Sequence, residues 1–214
     1  MGIKQEFTSF MENAGVLTFG SFVTKSGRST PYFINTGKYK TGAQIAALGD
    51  FYARLIYESG EKFDLLFGPA YKGIPLVVAA SASLYRSYGI DVPYCFNRKE
   101  AKDHGEGGSI VGCMPKNGDR IAIVEDVVTA GTAVRESIAL LSEIADVSVT
   151  ALFVSVDRCE KGTGELSALD ELKQSAGISV HPIVTVYDII STMEPGDPRI
   201  AEMQSYLSRY GAAR

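Results

Sequence analysis

The runs Arg-Ile-Ala-Ile-Val at 120–124 and Val-Thr-Ala-Leu-Phe-Val-Ser-Val at 149–156 constrain this chain more than anything else in it. Neither shows the strict polar/apolar alternation of a strand with one wet face, so each reads as a strand buried on both sides. Runs of the same kind occur at 63–68 (FDLLFG), 92–97 (VPYCFN) and 181–187 (HPIVTVY). Helical patterns lie between several of them. Ile45, Leu48, Tyr52, Leu55 and Ile56 share one face of a segment from Thr41 to Gly60, a second helix is predicted from about Gly73 to Tyr88, and Val134, Ile138, Leu141 and Ile144 mark a third. Buried strands alternating with helices predict an α/β fold with a mostly parallel central sheet flanked by helices. Ligands of such sheets sit beyond the carboxyl ends of the strands, so the loops after Phe67, Val124 and Val156 are where a site is expected.

A chain of 214 residues, 45% hydrophobic, with no repeat and no Pro/Ser-rich linker, predicts one domain with at most a small appendage. Its net charge of −4 gives no general attraction to nucleic acid or to an anionic membrane, so anion binding must rest on a local basic cluster. The N-terminal stretch carries acids and no long apolar run, which argues against a signal peptide, and no stretch approaches the roughly 18 to 20 apolar residues of a membrane span. Cys95, Cys113 and Cys159 are odd in number and widely spaced, signalling neither a disulfide framework nor a zinc site. A cytoplasmic protein is expected.

The segment RIAIVEDVVTAGTAVRESI, 120–138, carries the main chemical signal. Glu125 and Asp126 stand where the strand stops, and Thr129, Ala130, Gly131 and Thr132 form a small-residue turn into a helix starting near Ala133. Backbone amides at a helix N-terminus, approached past small side chains, cradle a phosphate, while adjacent carboxylates suit vicinal hydroxyls. A sugar phosphate offers both features. The alternative is that the two acids only enrich a helix start in negative charge, as the macrodipole favours.

Two further places hold cations. Arg98, Lys99, Lys102 and His104 fall within seven positions, followed by Gly105, Gly107 and Gly108, which reads either as a mobile loop closing over a polyanion or as an ordinary solvated charged loop. Arg158 follows the run at 149–156 and should emerge on the same sheet edge as the acids, where a guanidinium grips a planar carboxylate through two parallel hydrogen bonds. Its alternative is a helix-capping or salt-bridging role, with Asp157 as a candidate partner.

IVEDVVTAGTAV resembles the motif by which type I phosphoribosyltransferases bind 5-phosphoribosyl 1-pyrophosphate (PRPP), with acidic pair and TAGT turn both intact. FVTKSGRSTPYFIN at 22–35, GPAYKGIPL at 68–76 and NRKEAKDHGEGG at 97–108 resemble the orotate phosphoribosyltransferase branch over nearly the whole chain. The departures are Ile34, where bacterial members have a second phenylalanine, and Glu125, where this branch commonly has aspartate.

The resemblance implies the type I phosphoribosyltransferase fold over a single domain, 1–214. It implies a small N-terminal hood and substrate-binding segment at about 1–40, and a mobile catalytic loop at about 98–108. It implies PRPP binding by Lys25, Tyr71, Lys72, Arg98, Lys99, Lys102, His104, Glu125, Asp126, Val127, Val128, Thr129, Ala130, Gly131, Thr132 and Ala133. Orotate would meet Lys25, Phe33, Ile34, Thr129 and Arg158, and Lys102, His104 and Asp126 would be catalytic, with Lys102 the first candidate to protonate departing pyrophosphate. Mg²⁺ would ride on the PRPP diphosphate, with no protein ligand for it identified. The expected activity is phosphoribosyl transfer from PRPP to orotate in pyrimidine (UMP) biosynthesis, by a homodimer whose loop is shared between subunits, with no nucleic-acid or membrane partner. The alternatives are a PRPP-sensing regulatory protein, which would lose the basic loop, and a purine phosphoribosyltransferase, which would have no use for Arg158 beside an acidic base.

Overall fold

A computed structural model describes residues 2–24, 27–102, 108–162 and 164–212, the side chains of Ala101 and Lys102 excepted. In chain order the elements are α1 (Ile3–Asn13), β1 (Leu17–Val23), β2 (Ser29–Ile34), α2 (Gly42–Ser59), β3 (Leu65–Gly68), α3 (Gly73–Tyr88), β4 (Tyr94–Lys102) and β5 (Gly108–Gly112). They continue with β6 (Arg120–Val127), α4 (Thr132–Ile144), β7 (Ser148–Asp157), α5 (Ala168–Ala176), β8 (Ser179–Thr185), α6 (Val186–Thr192) and α7 (Pro198–Tyr210). The boundaries have local causes. Thr41 and Gln44 form a reciprocal capping box that starts α2, and Gly60, at φ 68°, ends it in the left-handed region.

Six strands form one sheet in the order β5-β4-β3-β6-β7-β8, parallel except for β5 at one edge. The chain leaves β3 toward β4 on one side and later returns through β6 to the other, so β3 and β6 are neighbours whose outgoing connections diverge. Such a switch point leaves a crevice at the carboxyl ends of its strands. Alternate residues feed opposite layers. Leu66, Ala122, Val124 and Phe153 join the core under α1, α2, α3, α6 and α7, while Leu65, Phe67, Ile121, Ile123 and Leu152 join that under α4 and α5. The antiparallel pair β1–β2 is a separate small sheet, within the segment at about 1–40 expected as a hood.

Several expectations need adjustment. The strand expected at 92–97 starts at Tyr94 and runs on to Lys102, so Arg98 to Lys102 are strand rather than loop, and residues 103–107 lie outside the described residues. Cys95 to Asn97 and Lys102 pair with β5, which keeps the chain extended past the expected end. The run at 181–187 stops at Thr185 because Thr185 and Asp188 form a second capping box, turning Val186 and Tyr187 into the first turn of α6. Glu125 and Asp126 lie inside β6, which ends one residue later. Helices α1, α5, α6 and α7, the strands β1 and β2, and the edge strand β5 were not anticipated by the strand-and-helix pattern.

The turn from β3 to α3 is closed too tightly for a side chain. A Cβ at Gly68 would lie 2.3 Å from Gly73 O and 2.6 Å from Val77 Cγ1, and one at Gly73 would lie 2.7 Å from Pro69 Cδ. Gly68→Ala is expected to destabilise the fold by about 1 to 3 kcal/mol, the usual cost of overpacking. A urea midpoint equal to that of the wild type would show that the turn can open without cost.

Candidate active site

The crevice at the switch point gathers most of the residues expected there. Tyr71, Lys72 and the segment from Glu125 to Ala133 line one cavity of about 360 Å³. Phe33, Ile34, Thr129 and Arg158 line a cavity of about 970 Å³, which also takes in Lys72, Val128, Ala130 and Thr132. The two share walls and form one continuous cleft between the hood and the carboxyl edge of the sheet.

At its floor both acids are only 8% exposed. Asp126 Oδ2 accepts from Lys72 Nζ at 2.8 Å and from Thr36 Oγ1 at 2.5 Å, and Lys72 Nζ also reaches Thr36 Oγ1 at 3.1 Å. Burial works to raise the Asp126 pKa, but the Lys72 and Thr36 hydrogen bonds and the lysine charge outweigh it and hold the carboxyl below its ordinary value. Among the described residues no side chain hydrogen-bonds the Glu125 carboxyl in this way. Its Oε1 accepts from the Asp126 backbone N–H at 2.9 Å, yet burial, reinforced by the Asp126 charge, pushes its pKa up to about 8. Tyr52 OH donates to Glu125 O at 2.6 Å and Ser155 Oγ to Asp126 O at 2.7 Å, fixing the backbone of the pair from α2 and β7.

Beyond the acids the chain turns through Thr129 and Ala130, both exposed, to Gly131, which starts α4 at φ 73°. A Cβ there would meet the Leu172 side chain at 3.2 Å, so both conformation and space call for glycine. Among the described residues no side chain caps the start of α4, and its first turn, Thr132 to Val134, lines the cleft, so its free amides make an anion cradle there. Arg135 Nη1 donates to Ala130 O at 2.7 Å and steadies the turn from the helix side.

The remaining expected residues divide. Arg158 reaches the larger cavity as predicted, but its ion partner is Glu160, at 2.7 Å, rather than Asp157. Asp157 Oδ1 instead accepts from Cys159 N at 2.7 Å, which turns its carboxylate back on the chain. Arg98 and Lys99 line neither cavity. Arg98 Nη1 donates to Gly108 O at 3.3 Å across β4–β5, and Lys99 Nζ lies 5.2 Å from the centre of the Tyr71 ring, so it meets the cleft only through that ring. Lys25, His104 and the side chain of Lys102 lie outside the described residues. Sequence reasoning missed Thr36, Tyr52, Ser155 and Glu160. Of these only Thr36 carried a local signal, in the Asn-Thr-Gly turn after β2, where Asn35 Oδ1 accepts from Gly37 N.

Among the described residues no group of three or more His, Cys, Asp or Glu could hold a metal ion. Among the same residues no helix is long and apolar enough to cross a membrane.

The phosphoribosyl transferase domain model matches residues 35–181, so the chain belongs to the phosphoribosyltransferase family. Among its relatives are the orotate phosphoribosyltransferases of Clostridium beijerinckii, 49% identical over 98% of both chains, and of Actinobacillus pleuropneumoniae, 45% identical over 97% of this chain and 98% of that one. The crystal structure of the Francisella tularensis orotate phosphoribosyltransferase superposes with a TM-score of 0.88 at 40% identity, covering 97% of this chain and all of that one. Within the family, its place is in the orotate phosphoribosyltransferase branch.

The raised Glu125 pKa has a measurable sign. Between the ordinary value of 4.5 and about 8 the folded protein holds a proton that the unfolded chain has lost. Its contribution is thus fully present below the ordinary value and declines as pH rises toward the folded one. Glu125→Gln removes this dependence, so variant stability relative to wild type should climb from about pH 5 to about pH 8, by up to about 1.4 kcal/mol per unit. Urea midpoints measured across that range check it, and parallel curves for the two proteins would show that Glu125 ionises normally.

Proposed function

We propose that this protein transfers the phosphoribosyl group of PRPP to orotate, releasing pyrophosphate and orotidine 5′-monophosphate, in pyrimidine nucleotide synthesis. The observation that carries the reading is the buried acid pair between an uncapped helix start and an arginine-bearing cavity: one cleft with separate places for ribose hydroxyls, phosphate and a planar carboxylate. The amides from Val128 to Ala133 would take the 5′-phosphate, and Asp126 with Glu125 the ribose hydroxyls. Arg158 and Thr129 would hold orotate, with Phe33 and Ile34 as apolar wall and Lys25 beside both substrates.

In this geometry a ring nitrogen of orotate gives up its proton and supplies the electron pair for the new bond to the anomeric carbon, as the carbon–oxygen bond to pyrophosphate breaks and its pair leaves with the diphosphate, which takes up a proton in exchange for the one released. Positive charge gathers on the sugar and negative charge on the leaving group, much as in glycoside cleavage. Asp126, held ionised by Lys72, would face the first; Lys72 and Tyr71 would serve the second, joined by Arg98, Lys99 and Lys102 brought in by the loop of a second subunit, with Lys102 or His104 as proton donor. Mg²⁺ on the diphosphate would neutralise part of its charge.

Loss of orotate absorbance with PRPP and Mg²⁺, set against adenine, hypoxanthine and uracil, tests the reaction. PRPP binding without orotate consumption would mark a sensor instead, and consumption of adenine or hypoxanthine a purine enzyme. Asp126→Asn keeps the shape and is expected to lose about 2 to 4 kcal/mol of transition-state stabilisation, seen as a fall in kcat/KM with the fold retained. Unchanged kcat/KM would remove the acid from the mechanism.

We further propose a cytoplasmic homodimer with shared sites. The outward face of α3 supports a second copy: Pro75, Val78, Ala82 and Tyr85 follow one another at helical spacing and are exposed, next to exposed Tyr71. If the loop of one subunit serves its partner's cleft, mixing Lys102→Ala and Asp126→Asn homodimers in equal amounts should restore about a quarter of wild-type activity, since half the dimers are mixed and each has one intact site. Activity that stays at the parents' level, with exchange verified by mass spectrometry, would return the loop to its own subunit.

A further inference from the structure

Arg158 is held by a constellation that its proposed contact with substrate does not by itself require. Its Nε and Nη2 both donate to Glu160 Oε1, at 3.1 and 2.7 Å, and the same oxygen accepts from Tyr32 OH at 2.7 Å. The guanidinium also lies over the Tyr32 ring, with Cζ 5.3 Å from its centre. The Arg158 and Glu160 side chains are only 17% and 15% exposed, and Tyr32 is fully buried. A surface ion pair with exposed partners would be of little consequence, but this one is shielded and shares a third donor.

The glutamate is fixed in turn by the end of α7. Lys161 N donates to Tyr210 O at 2.9 Å, Ala212 N donates to Cys159 O at 2.8 Å, and Glu160 faces Gly211 in an antiparallel bridge. Tyr206, on α7, meets the Tyr32 ring edge-on at 5.9 Å. Residues of the hood, the loop after β7 and the last helix thus converge on one carboxylate.

We propose that Glu160 is a positioning residue for base recognition. By taking the side edge of the guanidinium, Nε and Nη2, it turns the outer end toward the cavity; among the described residues no hydrogen bond uses Nη1. That end still carries parallel N–H donors able to grip a carboxylate at two points. Tyr32, by donating to the same oxygen, fixes Glu160, and the clamp makes orotate affinity depend on the packing of α7. The inference rests on the reading of Arg158 as the carboxylate contact. A rival role for Glu160 is simple neutralisation of the arginine, and it predicts the opposite sign: loss of the negative charge would then strengthen orotate binding.

The test measures KM for both substrates in wild type, Glu160→Gln, Tyr32→Phe, Arg158→Ala and the double variant Glu160→Gln/Arg158→Ala, together with inhibition by uracil, which has no carboxylate. Glu160→Gln should raise the orotate KM by about tenfold or more, as small displacements of positioning groups do. The PRPP KM should stay within about twofold and uracil inhibition should be unchanged. Tyr32→Phe, which keeps the ring and loses only the hydroxyl, should shift orotate in the same direction by less and stands in if the glutamate variant does not fold. In the Arg158→Ala background Glu160→Gln should add nothing. An orotate KM that is unchanged or lowered in Glu160→Gln, a matching rise for PRPP, or a full additional effect without Arg158 would overturn the proposal while the functional reading stands. A wild-type protein that consumes no orotate would overturn the functional reading itself and this proposal with it.

Discussion

Two adjacent carboxylates taken out of water at the end of a central strand are the constraint around which the rest of the molecule is organised. Burial of an unpaired charge costs several kcal/mol, so each acid must either find a partner or keep its proton. The structure does one of each. Asp126 is charged because Lys72 and Thr36 reach it, while Glu125, whose side chain accepts from the Asp126 backbone amide, is pushed by burial toward the neutral form. Partners for this short stretch come from the loop after β2, from α2, from the turn after β3 and from β7, so satisfying it ties the hood, one helical layer and the sheet to a single point.

Sheet topology supplies the room. Where β3 and β6 lie side by side their chains depart in opposite directions, and the crevice left between them receives Lys72 from one and the acids from the other. Gly68 and Gly73 let the β3–α3 turn fold down against its own helix. A bulkier turn would push Lys72 away from Asp126 and leave the carboxylate without its counter-charge.

The parts that could be read from sequence are those whose cause is local. The apolar spacing between Thr41 and Gly60 marks α2 to within a residue, and the run at 120–124 followed by two acids and a small-residue turn marks the floor of the cleft. The strand end at Thr185 was misplaced because Val186 and Tyr187 suit a strand as well as a helix, and the capping box with Asp188 decides between them. Strand β4 outran its expected end because pairing with β5 extends residues whose charges read as loop. Long-range partners left no trace. Nothing near Arg158 reveals that Tyr32, 126 positions earlier in the chain, shares its carboxylate, and nothing near Asp126 reveals Thr36. Such pairs arise from the packing of separate elements, which periodicity and capping signals do not encode.

The pairing of residues 159–161 with 210–212 bears on how the protein is made. Synthesis runs from the N-terminus, and elements fold as their partners emerge from the ribosome. The acids, Lys72, Thr36, Tyr52 and Ser155 are all out once β7 has left the exit tunnel, so the floor of the cleft with its charge pair has every partner it needs while the chain is still growing. The loop bearing Arg158 must wait for the final turn of α7 to supply its backbone partners. A nascent chain therefore has every partner of the buried acid pair before the loop bearing Arg158 has its own, and a ribosome stalled within α7 would present the first without the second.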